Sequence, residues 1–143
     1  MAKKHVCVSF DFECDKNYYY LLEAWNKNPS IDFHITDCTP REIQTKSVDV
    51  VKQVLSEKIG EARYMIAIIG NHSNDLHPDY KKIGYRNWQA YEIEKNYEKG
   101  NKLLLVFLDS SNVAPVEYSG IGAKSVYKFG LENINKALQE LSR

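Results

Sequence analysis

The sequence lacks an excess of charge. Its 143 residues carry 19 Lys plus Arg and 19 Asp plus Glu, a formal net charge of +0. A protein that grips nucleic acid through its phosphates shows a basic excess or stripe, and this chain shows neither. The lysine-rich patches, Lys81-Lys82 and Lys95 to Lys102, are offset by acids and read as solvated faces. Long apolar runs are missing too. No segment approaches the ~20 residues of a membrane span. The start, "MAKKHVCVSFDF", has no apolar stretch of signal-peptide length. Cysteine is scarce: three, at Cys7, Cys14 and Cys38. An odd count with no CxxC pair makes a poor disulfide framework and a poor zinc site. Cys7, in an apolar run, is expected to be a small buried hydrophobe. The simplest expectation is a soluble protein of the reducing cytoplasm. With no net charge to keep copies apart, self-association is open to it.

What is present is a regular alternation of apolar runs and amphipathic stretches. Lys4 to Phe10, "KHVCVSF", is rich in Val and aromatics and predicts a strand. Asp11 to Lys16 reads as a loop, and Asn17 to Trp25 as a helix ending before Asn28-Pro29. Three successive tyrosines, Tyr18 to Tyr20, point in different directions on a helix, so at least one faces solvent or a partner. Ile31 to Thr36 alternates like a strand, and Asp37 to Glu42 reads as a loop. Val48, Val51, Leu55 and Ile59 make a helical stripe closed by Gly60. Arg63 to Gly70 and Lys102 to Asp109 are continuous apolar runs, typical of strands covered on both faces in a parallel sheet.

Between those runs lie a long polar connection, Asn71 to Arg86, and a helix from about Tyr85 to Lys99, stopped by Gly100. Ser110 to Ser125 is irregular. Ser125 to Phe129 predicts a short edge strand, and Leu131, Ile134, Leu138 and Leu141 a last helix. No repeat and no linker interrupts the chain, so residues 1–143 read as one domain. Strands alternating with helices predict an α/β three-layer sandwich: a parallel sheet, flavodoxin-like strand order 2-1-3-4-5, helices on both faces. Ligands in such folds sit beyond the carboxyl ends of the strands. That places the loops after Phe10, Thr36, Gly70 and Asp109 together.

The helix after the long connection holds the most suggestive pair. Trp88 and Glu92 are one turn apart and share a flank. At about 100° per residue, Ala90, Ile93 and Tyr97 cluster as its core face, and Trp88 and Glu92 fall well away from it. Near the helix start the macrodipole favours a carboxylate's charged form. The plainer alternative is a solvent-exposed glutamate beside Lys95 or Asn96. Other candidates read as bland. His72 and His77 lack ligand spacing and stand as solvated loop histidines, so no metal is expected. Gly120 and Gly122 follow no strand-to-helix junction and are no dinucleotide fingerprint. A phosphoreceiver would need an Asp ending the third strand, where the chain has Ile69-Gly70-Asn71.

Trp88-Gln89-Ala90-Tyr91-Glu92-Ile93 has the form W-x-x-x-E-[IL]. It follows a buried strand, Met65 to Gly70, and a polar loop with His72-Ser73, and "KGNKLLLVFLD" follows it. The first strand ends in Val8-Ser9-Phe10-Asp11. In this order the motifs resemble the TIR-like family that includes the TIR component of bacterial Thoeris anti-phage systems. The resemblance spans roughly Lys3 to Asp109. The Asn71 to Arg86 loop is longer than the family's usual one, and no motif aligns after Asp109.

The resemblance implies cleavage of NAD⁺ as substrate, with no separate cofactor, in a TIR-like domain. It implies Glu92 as the catalytic carboxylate and Ser9, Phe10, Asp11, Asp37 and Trp88 as substrate-binding residues. It also implies self-association, a phage-derived trigger protein, and a product read by a separate effector. The product is left open among ADP-ribose, a cyclised isomer and a transferred conjugate. A non-catalytic TIR-like interaction module is the alternative.

Overall fold

The computed structural model describes residues 4–29, 31, 33–38, 47–115 and 122–142. The rest of the expected Asp37 to Glu42 loop and the centre of the irregular stretch after Ser110 lie outside them.

Five parallel strands form the sheet: β1 (Lys4–Ser9), β2 (Phe33–Asp37), β3 (Tyr64–Ile69), β4 (Lys102–Phe107) and β5 (Lys124–Val126). Their order is β2-β1-β3-β4-β5, as expected. The helices are α1 (Phe12–Asn26), α2 (Val48–Glu61), α3 (Tyr80–Ile83), α4 (Trp88–Glu98) and α5 (Leu131–Leu141).

Alternation along the strands divides the core between two faces. Val6, Val8, Ile66, Ile68, Leu104 and Val106 meet Tyr19 and Leu22 of α1 and Ile134, Ala137 and Leu138 of α5. Cys7, Met65, Ala67, Ile69, Leu103, Leu105 and Phe107 meet Ile59 of α2 and Ile93 of α4. Val51 and Leu55 of α2, Ile83 of α3 and Tyr91 of α4 form a satellite cluster. The apolar runs therefore serve strands buried on both sides, and β3 and β4 are almost wholly inaccessible.

Four expectations are corrected. The polar Asp11 to Lys16 stretch is not a loop, because α1 begins at Phe12 and the Asp11 carbonyl accepts the Asp15 N–H at 2.7 Å. Gly60 does not close α2, which continues to Glu61. The long connection is not wholly irregular, since it contains α3. Cys7 and Cys38 form a disulfide, with Cα atoms 5.8 Å apart, and leave Cys14 free and exposed. They are distant in sequence but meet because β1 and β2 pair in parallel and the Cys38 N–H binds the Val8 carbonyl at 3.1 Å. The tyrosine triplet divides as its geometry requires. Tyr19 stacks on Phe10, Tyr18 meets Phe129 edge-on, and Tyr20 is exposed.

Candidate active site

The carboxyl end of β1 sits beside that of β3, with Ser9 opposite Ala67 in the ladder. α4 is aimed at this point by its cap. The Asn87 side chain accepts the Ala90 N–H at 2.8 Å, and its amide donates to the Ser73 carbonyl at 2.8 Å and the Asp75 carbonyl at 2.9 Å. One residue thus starts the helix and ties down the preceding loop. Ser73 fastens the loop's other end: its hydroxyl accepts the Gly70 N–H at 3.0 Å and donates to the Ile68 carbonyl at 3.3 Å.

From that anchored start, Glu92 points inward. It is 1% exposed, and the Ser9 hydroxyl donates to its Oε1 at 2.6 Å. Its Oε2 is buried without a hydrogen-bond partner. Burial holds the Glu92 carboxyl well above the usual range. The Ser9 bond pulls it down, Asp37 pushes it up, and Lys58 pulls it down. The expectation that the helix start keeps this group charged is therefore corrected, because desolvation outweighs the dipole. The flank it shares with Trp88, expected to stand away from the centre of the core face, is buried at Glu92. Tyr97, expected in the core, is 52% exposed, while Asn96 is buried. Ala90 and Ile93 do lie in the core.

The remaining sequence candidates take distinct places. Phe10 is buried and stacks on Tyr19, with ring centroids 4.9 Å apart. Asp11 starts α1 through its carbonyl. Asp37 ends β2, and its carbonyl accepts a hydrogen bond from Lys58 Nζ at 3.3 Å. Trp88 is half-buried against the satellite cluster and meets Tyr91 edge-on at 5.7 Å. The structure thus joins Ser9 to Glu92 and brings Asp37 within electrostatic reach. It gives Trp88 to Tyr91.

Two residues escaped the sequence reading. Gln89 is buried and its Nε2 donates to the Ser9 carbonyl at 3.1 Å and the Ile68 carbonyl at 2.9 Å, clamping β1 to β3 beside the carboxylate. It stands inside the motif, and a polar residue directly before the core residue Ala90 was the available signal. Asp15 is 5% exposed near the start of α1. Its spacing of four from Asp11 was the signal, hidden by reading the stretch as a loop. Among the described residues, no cluster of three or more His, Cys, Asp or Glu side chains is arranged to hold a metal.

A five-stranded parallel α/β sandwich of strand order 2-1-3-4-5 is consistent with a TIR-like or flavodoxin-like domain. The family described as "Thoeris protein ThsB, TIR-like domain" matches residues 7–113, and the chain belongs to that family. The match includes Ser9, Asp15, Gly70 and Glu92 and ends before β5 and α5. No curated protein matches the chain significantly.

Solved structures that share the fold include two deoxyribosyltransferases. One is the 2-deoxyribosyltransferase of the psychrotolerant bacterium Bacillus psychrosaccharolyticus. It is 14% identical with a TM-score of 0.59, over 92% of this chain and 90% of that one. The other is the 2-desoxiribosyltransferase of Leishmania mexicana. It is 14% identical with a TM-score of 0.51, over 74% of this chain and 65% of that one. Among the described residues, no helix is long and apolar enough to cross a membrane.

Proposed function

We propose that this protein cleaves NAD⁺ at the bond between nicotinamide and ribose, producing an ADP-ribose-derived signal in anti-phage defence. The observation that carries the reading is Glu92: a carboxyl on the family's W-x-x-x-E helix, buried at the strand ends and bonded to Ser9. Two structural neighbours named as deoxyribosyltransferases support it, since a transferase of that name works on a bond to a sugar carbon.

In the proposed reaction the C1′–N bond breaks and nicotinamide leaves with the bonding electron pair. The leaving nitrogen is cationic before the break and neutral after it, so no general acid is required. The ribosyl group becomes oxocarbenium-like, as in glycoside hydrolysis. An anionic Glu92 holds the ribose hydroxyls and stabilises the developing positive charge. Water captures C1′ and releases a proton, giving ADP-ribose. Capture by a nitrogen of the adenine ring would give a cyclic isomer instead.

In the resting chain, burial favours a neutral Glu92. An arriving pyridinium cation favours its ionised form, so substrate charge itself prepares the group. Phe10, Asp11 and Asp37 stand at the strand ends, and the accessible part of Trp88 offers an apolar wall. NAD⁺ is the substrate, and no additional cofactor enters this scheme. Near-complete burial of Glu92 means that the site must open before NAD⁺ can reach it. That suits a sensor set off by a phage-derived trigger, with self-association completing the site and a separate effector reading the product in the cytoplasm.

The same burial supports a second reading, a non-catalytic TIR-like module in which Glu92 only packs. The two part on one experiment. Purified protein is incubated with NAD⁺, alone and with extract of phage-infected cells, and nicotinamide is followed by chromatography. Release above the extract control supports the enzyme. None in either condition supports the module.

A further inference from the structure

Asp15 stands near the start of α1, on the opposite face of the sheet from α4. Its carboxylate lies directly over Gly70, the first residue beyond β3. A Cβ added at that glycine would sit 2.4 Å from Asp15 Oδ2 and 2.7 Å from Oδ1. Only glycine leaves room for the group. Asp15 is 5% exposed, and its Oδ2 has no hydrogen-bond partner. Burial, and then the nearby Asp11, push its carboxyl up to about 6, against the pull of His72. Near neutral pH it is therefore mostly ionised, desolvated, and short of a donor for one oxygen.

Packing does not call for such a group. A neutral isostere would fill the same space without a desolvated charge. Glu92, across the sheet, shares one feature with it: its Oε2 is buried and unpartnered. The ends of β1 and β3 lie between them, with Ser9 opposite Ala67 and Gly70 following Ile69. Two carboxyl groups thus flank one junction, each with one buried oxygen that has no hydrogen-bond partner in the resting chain. Groups kept at a cost to stability mark sites that complete themselves with a ligand.

We infer that Asp15 is a substrate-binding carboxylate, its Oδ2 accepting a hydrogen bond from a hydroxyl or amide N–H of the nucleotide whose ribosyl bond is cleaved at Glu92. This rests on the NAD⁺ reading above. Asp15 fixes where the nucleotide lies, while Glu92 answers the charge that develops at C1′. Opening of the strand ends frees both oxygens, and bound nucleotide supplies the donors they lack.

The test uses the full chain in the presence of phage-infected cell extract, with nicotinamide release measured against NAD⁺ concentration. Loss of one hydrogen bond to a charged acceptor corresponds to about 10-fold or more in affinity. Asp15→Asn is expected to raise KM by about that factor and to leave kcat within about threefold. Its thermal midpoint at pH 8 should equal or exceed that of the wild type. A purely structural Asp15 gives the opposite pattern, a lower midpoint with unchanged KM, and overturns the inference.

Calorimetry provides a readout without turnover. Glu92→Gln protein should bind NAD⁺ about 10-fold more tightly than the Glu92→Gln/Asp15→Asn double variant, and equal affinities overturn the assignment of Asp15. If wild type cleaves NAD⁺ and Asp15→Asn does so with the same KM, Asp15 alone is wrongly assigned. If wild type neither binds nor cleaves NAD⁺, the reading of the site falls and this inference falls with it.

Discussion

The Ser9 hydroxyl donates to Glu92 Oε1 at 2.6 Å across 83 positions of sequence, and both residues are inaccessible to solvent. This bond joins the last residue of β1 to the second turn of α4. It gives Glu92 one satisfied oxygen and holds the carboxyl in a fixed orientation. Removing the donor should therefore reach both stability and chemistry.

For Ser9→Ala the expected loss of stability is about 1–3 kcal/mol, the usual cost of leaving a buried polar atom unpaired. Since the Ser9 bond lowers the Glu92 pKa, the same change should raise it further. Denaturant unfolding of the two proteins at pH 7 measures the first effect. An unchanged midpoint and slope would show that the hydroxyl contributes nothing to the fold.

Gly70 tests the close approach of α1 to the end of β3. In Gly70→Ala the new methyl meets both Asp15 oxygens far inside contact distance. The expected loss is about 1–3 kcal/mol, as for overpacking elsewhere. Adding Asp15→Ala removes the obstruction, so the double variant should be less destabilised than the sum of the singles. A cycle of unfolding free energies reads this coupling directly. Strict additivity would contradict the geometry.

Asp15 should also shape stability against pH. Burial pushes its folded pKa up to about 6, above the ordinary value of 3.8. For an acid, a raised folded pKa means that ionisation opposes folding. That opposition is complete above pH 6 and is relieved as pH falls from about 6 towards 3.8. Asp15→Asn should therefore be more stable than wild type at pH 8, and the gap should narrow towards pH 4. Thermal midpoints at several pH values check this. A constant gap would mean that Asp15 does not titrate differently in the folded chain.

The sheet was legible because its signals are local. Continuous apolar runs such as Met65 to Ile69 mark doubly covered strands, and their alternation with helices restricts the topology. The α2 stripe and the stop at Gly100 were legible for the same reason, and Gly100 has the positive φ of 76° expected after a helix end. Burial of Glu92 was not legible. Helical periodicity places an angle on a wheel, but it cannot show that Ser9 waits on the far side of the sequence to accept a polar group into the core. The Cys7–Cys38 pairing and the contact of Asp15 with Gly70 were hidden likewise, since both depend on neighbours that only the folded sheet supplies. Polar residues aimed inward break the local pattern, and the site is where they gather.

The most direct measurement compares nicotinamide release from NAD⁺ by wild type and Glu92→Gln in the same phage-infected extract, with both proteins shown to be folded. The substitution keeps the side chain's size and an oxygen for Ser9, and removes only the capacity for negative charge. Wild type should release nicotinamide well above the extract alone, and Glu92→Gln should be slower by about 100-fold or more, as for loss of an electrostatic stabiliser of a transition state. Equal release by the two proteins would contradict the assignment of Glu92 as the catalytic carboxylate.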